Sequence, residues 1–319
     1  VNHAWVESPL QLLNAVEWAA ERREPVVIGL REDVASLAPL ARWLDTALEA
    51  TGHTEVTLAW AATPWAAGLR DARRRIIGDA FSGQFRILTA LASTRDVTVL
   101  DDGTATLHLA RVLSGDEPFA RMGQREHPPA RALGEAARIR LRRAARAGRL
   151  SLFTAYADHP SVTVLTEHGV RVEPNRYAWL RGVRDVPHTA VGPRVVLGSA
   201  LVPDGYISEA NYLTWVADAA RGAAHYLPHR RETPALLAKL ADHGATVVTT
   251  DLPAEVVLAC APGLEEVVSL PSSTRATLAA ILPDAVRHRT VSVPEAWWTP
   301  AADVALRSVL TPLDTQEQP

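Results

Sequence analysis

The chain has one cysteine, Cys260, and one methionine among 319 residues. A single thiol cannot close an internal disulfide. Cys260 with its apolar neighbours reads as a buried small hydrophobe in a reducing compartment. Long apolar runs are also missing: nothing approaches the roughly eighteen residues that a membrane span needs. The first residues lack the charged, apolar and small-residue zones of a secretory signal. The expectation is a soluble, cytoplasmic chain with no transmembrane span. There is no excess of positive charge either, the formal net charge being −3, which gives no electrostatic basis for nucleic acid as the partner. Three fingerprints are absent: G-x-G-x-x-G after a strand, G-x-x-x-x-G-K-[ST], and G-x-S-x-G. Dinucleotide redox chemistry, P-loop phosphoryl transfer and nucleophile-elbow hydrolysis therefore have little support. No internal repeat is visible, which removes solenoids and propellers.

What is present is length, apolar content and alternation. A chain of 319 residues that is 47% apolar can fill two cores, so two domains are expected. Short β-branched runs alternate with segments of helical spacing. HAWV (His3 to Val6), PVVIGL (Pro25 to Leu30), EVTLAW (Glu55 to Trp60), RRII (Arg74 to Ile77) and VTVL (Val97 to Leu100) read as strands. SLFTAY (Ser151 to Tyr156) and SVTVLTEHG (Ser161 to Gly169) read as two more. Residues 172–193 are proline-bearing and irregular, and the domain boundary is placed there, between 185 and 186. A second series follows through RVVLGSALV, AAHYL, ATVVTT, VVSL and RTVSV, with a last helix near 301–310. Strands alternating with helices imply parallel sheets covered on both faces, an α/β class.

Residues 114–150 differ in composition, with Arg138, Arg140, Arg142, Arg143, Arg146 and Arg149 on one helical stretch. Such a run is most simply a solvated helix face. The sharper reading is peripheral contact of the 138–149 arginine stretch with an anionic acceptor or the inner face of a membrane.

Three strand-to-helix turns carry residues capable of chemistry, at the strand ends where open α/β sheets bind ligands. The first is Asp101-Asp102-Gly103. Adjacent carboxylates without nearby histidine are weak metal ligands, so no metal is assigned. One of the pair can serve as a general base, although Asp and Gly are also what plain turns use. The second is the loop of YLPHRRE, presenting His229. The third is PSST, where Ser272, Ser273 and Thr274 open a helix. Hydroxyls there are most often caps, yet a helix start is also a ready phosphate site.

Taken in order, DDG, a histidine loop and a Ser-Ser turn resemble the motifs of the bacterial sialyltransferases and polysialyltransferases. The likeness extends to SPLQLLNAVE, GSALVPDGYIS, YLPHRRE and TDLPAEVVL, from Ser8 to about Leu278. It departs from the family where Arg230 replaces the usual proline after the histidine. The resemblance implies a GT-B glycosyltransferase: two Rossmann-like lobes with a cleft between them, an acceptor-side domain at 1–185 and a CMP-sugar donor domain at 186–319, with the last helix packing back on the first lobe. It implies inverting, metal-independent transfer of a sialic acid or related 2-keto sugar acid from a CMP-activated donor to an acceptor hydroxyl, with no cofactor. By the same resemblance Asp101 or Asp102 is the base, Asp101 preferred. His229 assists the departing phosphate, and Ser272, Ser273 and Thr274 hold it. Gly198, Ser199 and Glu232 contact the cytidine or ribose. Gln11, Gly78 and Asp79 are acceptor-side candidates, for a glycan, a lipid-linked saccharide or a small molecule. A CMP-Kdo or other CMP-nonulosonate transferase, and a non-catalytic nucleotide- or glycan-binding descendant, stay open as alternatives.

Overall fold

The computed structural model describes residues 1–91, 95–115, 117–121, 126–184, 186–222, 224–272, 274–303 and 307. The chain divides into two compact units, Val1–Pro187 and His188–Pro319. The division falls within the proline-bearing stretch, two residues beyond the position read from the sequence.

The first unit is built on β1 (Asn2–Val6), α1 (Pro9–Arg22), β2 (Val26–Arg31), α2 (Leu37–Ala50), β3 (Val56–Ala61), β4 (Arg74–Ile77), α3 (Gly83–Leu91) and β5 (Asp96–Leu100). It continues with α4 (Thr104–Ser114), α5 (Pro128–Arg146), β6 (Leu150–Thr154), α6 (Pro160–Thr163), β7 (Arg171–Pro174) and α7 (Ala178–Gly182). All seven strands are parallel, in the order β3-β2-β1-β4-β5-β6-β7. The chain first runs outward from β1 to β3, then restarts beside β1 at β4 and runs the other way. Right-handed crossovers put α1 and α2 on one face and α3 to α6 on the other, while α7, which follows the last strand, returns to pack on α1. The direction of winding reverses between β1 and β4.

Helix α1 starts where Ser8 accepts the Gln11 amide and Pro9 occupies the first turn, so its entry is set by local chemistry. Its interior is unusual in burying Gln11, Asn14 and Glu17 along with Leu12, Leu13 and Val16. Residues 161–169 correct the sequence reading: they form α6 and a following 3-10 turn at Val164–Thr166, not a strand. Pro160 sits in the first turn and the His159 ring accepts the Ser161 amide, so a local cap overrides the β preference of Val162 and Thr163. The seventh strand is instead β7, in a segment that the sequence reading left irregular; it is a sheet edge with few apolar residues.

The second unit comprises β8 (Arg194–Leu197), α8 (Glu209–Ala219), β9 (His225–Leu227), α9 (Pro234–Asp242), β10 (Thr246–Val247), α10 (Ala254–Ala259), β11 (Glu266–Ser269), α11 (Thr274–Ile281) and β12 (Arg287–Thr290). Its five parallel strands run β10-β9-β8-β11-β12, so the winding reverses between β8 and β11. Both faces are covered, as continuous apolar strands require. Val196 and Val268 pack with Tyr212, Trp215, Leu236 and Leu240 on one side. Val195, Leu197 and Val267 pack with Val257, Leu258 and Leu278 on the other. Cys260 is the C-cap of α10 and is half-buried, not fully buried as its apolar neighbours suggested. Of the expected last helix near 301–310, residues 304–306 and 308–310 lie outside the described residues. Just before it, residues 295–299 pair within the second unit, with Trp298 bridged to Ile207. Among the described residues no helix is long and apolar enough to cross a membrane.

Candidate functional site

In the first unit the winding reversal brings together the turns after β1, β4 and β5. Gly78 donates its amide to the Trp5 carbonyl at 3.0 Å, fixing the β4 turn beside β1. A side chain at Gly78 would overlap Gln11, whose Oε1 would lie 2.3 Å from the added carbon. Gln11 is buried and its Oε1 accepts the Glu7 amide at 2.8 Å, so it braces this turn from α1. Asp79 accepts the Phe81 amide at 2.7 Å and pairs with Arg121. Burial raises its carboxyl, against the pull of Arg121. The three acceptor-side candidates do meet, and each of them is engaged in holding the turn.

The two aspartates of DDG have separate environments. Asp101 is fully buried and accepts four hydrogen bonds. The Gly103 amide (2.9 Å) and Thr106 hydroxyl (2.7 Å) reach its Oδ1; the Thr154 hydroxyl and Ala155 amide, both at 2.9 Å, reach Oδ2. Burial pushes its carboxyl up, and these four donors oppose that shift. Its backbone carbonyl is held by Asn14 Nδ2 at 2.9 Å. Asn14 in turn accepts from Asn175 at 3.0 Å and Tyr177 at 2.6 Å. The preference for Asp101 as base is thereby corrected: every lone-pair direction is occupied and no solvent reaches it. Gly103 follows with φ 65° and ψ −129°, a conformation that glycine alone takes readily, and α4 begins at the next residue. The outcome of this Asx turn is to leave Asp102 half-buried on a small cleft shared with Gly78, Asp79, Phe81 and Thr106. A larger recess of about 370 Å³ is walled by Glu17, Glu21 and residues 174–178, none of them part of the Asp102 turn.

In the second unit the turns after β8 and β9 are locked together. Gly198 donates to the Leu227 carbonyl at 2.8 Å, and an added Cβ there would lie 2.3 Å from the His229 nitrogen and 2.4 Å from Glu232 Oε2. Glu232 is buried; its Oε2 accepts the His229 amide at 2.8 Å. Its Oε1 accepts from Tyr226 at 2.6 Å and Tyr212 at 3.0 Å. Burial raises the Glu232 carboxyl, the same donors resist, and both tyrosine hydroxyls are raised by burial beside it. Ser199 is also buried, its amide on the Tyr212 hydroxyl at 3.1 Å and its Oγ accepting the Leu201 amide at 3.2 Å. Glu232, Gly198 and Ser199 therefore build the histidine loop. This corrects the expectation of direct nucleotide contact through the Glu232 side chain, because both of its oxygens are occupied internally. The Ser199 hydroxyl accepts the Leu201 amide and keeps its own proton to donate.

His229 is half-buried, and its Nδ1 accepts the Arg231 amide at 3.2 Å. That bond assigns the proton to Nε2, which has no partner among the described residues. Burial, then the charges of Arg231 and Arg230, depress its pKa to about 4, so the ring is neutral at neutral pH. Arg231 pairs with Asp204 at 2.5 Å. Arg230 is exposed and electrostatically near Glu255, whose carboxyl is raised chiefly by burial. On the other side of β8, Ser272 is exposed after β11 and Thr274 opens α11; Ser273 lies outside the described residues. The His229 and Ser272 turns thus flank the central strand of the second sheet at its carboxyl end. Among the described residues no group of three or more histidine, cysteine, aspartate or glutamate side chains is placed to hold a metal ion.

Sequence reading missed Asn14, Tyr212, Tyr226, Thr106 and Thr154. For α1 a signal existed: Gln11, Asn14 and Glu17 recur every third residue within an apolar helix, which places polar groups on the buried side. No protein-family model and no curated protein matches the chain.

Proposed function

We propose that the chain is a GT-B-type, inverting glycosyltransferase that moves a sialic acid or related 2-keto sugar acid from a CMP-activated donor to an acceptor hydroxyl. The first unit would serve the acceptor and the second the donor. The observation that carries the reading is His229: a neutral ring with Nδ1 occupied and Nε2–H unpaired among the described residues, at the carboxyl end of β9, beside two arginines and near the winding reversal. Such a group donates a hydrogen bond to a phosphate oxygen, and an approaching phosphate favours proton uptake by the ring.

In the proposed reaction the acceptor oxygen forms the new bond to the anomeric carbon while the carbon–oxygen bond to CMP breaks. The electron pair leaves on the phosphate oxygen, and the acceptor proton goes to Asp102. His229 Nε2–H, the Ser272 turn with Ser273 and Thr274, and the amino-terminal dipole of α11 stabilise the leaving phosphate, worth roughly 3 to 4 kcal/mol per well-placed donor. Asp101 is a positioning residue that shapes the turn carrying Asp102. Donors of this kind replace the charge neutralisation that a metal supplies in other transferases, and no metal is assigned.

Thermal shift and calorimetry with CMP, UMP, GMP and ADP test the donor class. CMP is expected to stabilise the chain selectively, with the effect weakened in His229→Ala. A panel of CMP-activated acids then separates sialic acid from Kdo and other nonulosonates. Preferential stabilisation by UMP or ADP would refute the reading. Selective CMP binding without turnover of any CMP-sugar would instead favour a binding descendant, a reading to which Arg230 in the usual proline position lends weight.

A further inference from the structure

The outer face of α3 and α5 is built differently from the rest of the surface, and this holds whatever the chain transfers. Both helices lie on the same side of the first sheet and pack against each other. Helix α5 buries Gly134, Ala137, Leu141, Ala144 and Ala145 against the unit. Its opposite side exposes Arg131, Ala132, Ile139, Arg143 and Arg146. Ile139 is 42% exposed and Ile87 on α3 is 39% exposed. Residues 128–149 hold seven arginines and one glutamate, in a chain whose net charge is −3. The one glutamate, Glu135, is already paired with Arg138 at 2.6 Å. Among the described residues neither Arg143 nor Arg146 makes an ion pair.

The geometry points to this face as a docking surface for an anionic lipid bilayer, with Arg143 and Arg146 on lipid phosphates and Ile87 and Ile139 entering the headgroup layer. Charge complementarity selects the occupant: unpaired arginines ask for anions, and isoleucines among them ask for an apolar layer just beneath. A bilayer interface offers both at once. A nucleic acid offers the phosphates without the apolar layer. Small side chains at Ala132 and Ala136 let the helix lie close to a flat surface, and the long arginine stems reach phosphates while their methylenes stay apolar. The surface is a peripheral contact, since no described helix can span.

The test is co-sedimentation of the full chain with vesicles of phosphatidylcholine alone and of phosphatidylcholine mixed equally with phosphatidylglycerol. Binding is expected only to the second and is expected to weaken with salt, as screening shortens the reach of the arginines. Each arginine neutralised near such a surface weakens binding about fivefold, so Arg143→Gln with Arg146→Gln is expected to lower it about twenty- to thirtyfold. Ile87→Ser with Ile139→Ser is expected to weaken it while leaving the salt dependence in place. Both pairs are exposed, and circular dichroism should match the parent chain. Three results would each overturn the proposal: equal binding to both vesicles, binding indifferent to both double variants, or capture by random duplex DNA with none by vesicles.

Discussion

Replacing Asp101 and Asp102 one at a time separates two carboxylates that are adjacent in sequence and unlike in structure. Asp101→Asn keeps the size of the side chain but turns one acceptor oxygen into an NH2 group. Whichever way the amide lies, that group faces either the Gly103 amide with the Thr106 hydroxyl or the Ala155 amide with the Thr154 hydroxyl. A hydroxyl can rotate, whereas a backbone N–H cannot. One buried amide is left without an acceptor, at a cost of about 1–3 kcal/mol. Asp101→Ala strands all four donors and should cost about 3–5 kcal/mol. For a unit of this size each kcal/mol lowers the melting temperature by about 2–4 °C, so the two variants should melt roughly 5 °C and 10 °C or more below the parent. Asp102→Asn, at a half-buried position, should stay within about 1 kcal/mol of the parent, while losing transfer from the CMP-sugar. The assays are differential scanning fluorimetry with urea denaturation, alongside donor turnover. An Asp101→Asn chain that melts like the parent yet has lost turnover would refute the assignment of Asp101 to structure and Asp102 to chemistry.

Two further perturbations test the scaffold. Gly198→Ala places a carbon against the His229 backbone and Glu232, so the β9 loop must shift: a loss of about 1–3 kcal/mol and of CMP-dependent stabilisation is expected, and an unchanged CMP response would show that the loop geometry is unimportant. Glu17 lies buried with its carboxyl raised to about 7, chiefly by burial, although it accepts the Trp179 and Leu180 amides. A folded-state pKa above the unfolded value of 4.5 means the folded chain holds its proton longer. The stabilisation is therefore complete below that value and lost as pH rises through about 7. Denaturation of the parent and of Glu17→Gln across this window should show the parent losing about 3 kcal/mol relative to the variant; a constant difference would contradict it.

Strands with two covered faces were legible because burial on both sides demands an unbroken apolar run, as in Val26–Leu30 and Val195–Leu197. The edge strand β7 was not, since Arg171, Val172, Glu173 and Pro174 owe their extension to β6 and carry little apolar signal. Val162 and Thr163 were misread for the converse reason: a local cap at His159 and Pro160 outweighed their intrinsic preference. Turn positions with chemical potential were legible as well, since Asp, Gly, His and Ser directly after an apolar run fall at strand ends.

Roles within those turns were another matter. Asp101 and Asp102 are chemically identical in sequence, and what divides them is Thr154 and Ala155, some fifty residues later, brought alongside by the pairing of β5 with β6. Glu232 reads equally well as a ribose ligand until Tyr212 and Tyr226 close on it from α8 and β9. Sequence alone determined the α/β class, the strand-end turns and the concentration of arginine, because each follows from local pattern and composition. Only the tertiary structure decided which polar atoms are already satisfied and which have none of the described residues as a partner, because a hydrogen bond between distant segments exists only once the sheet has set their register.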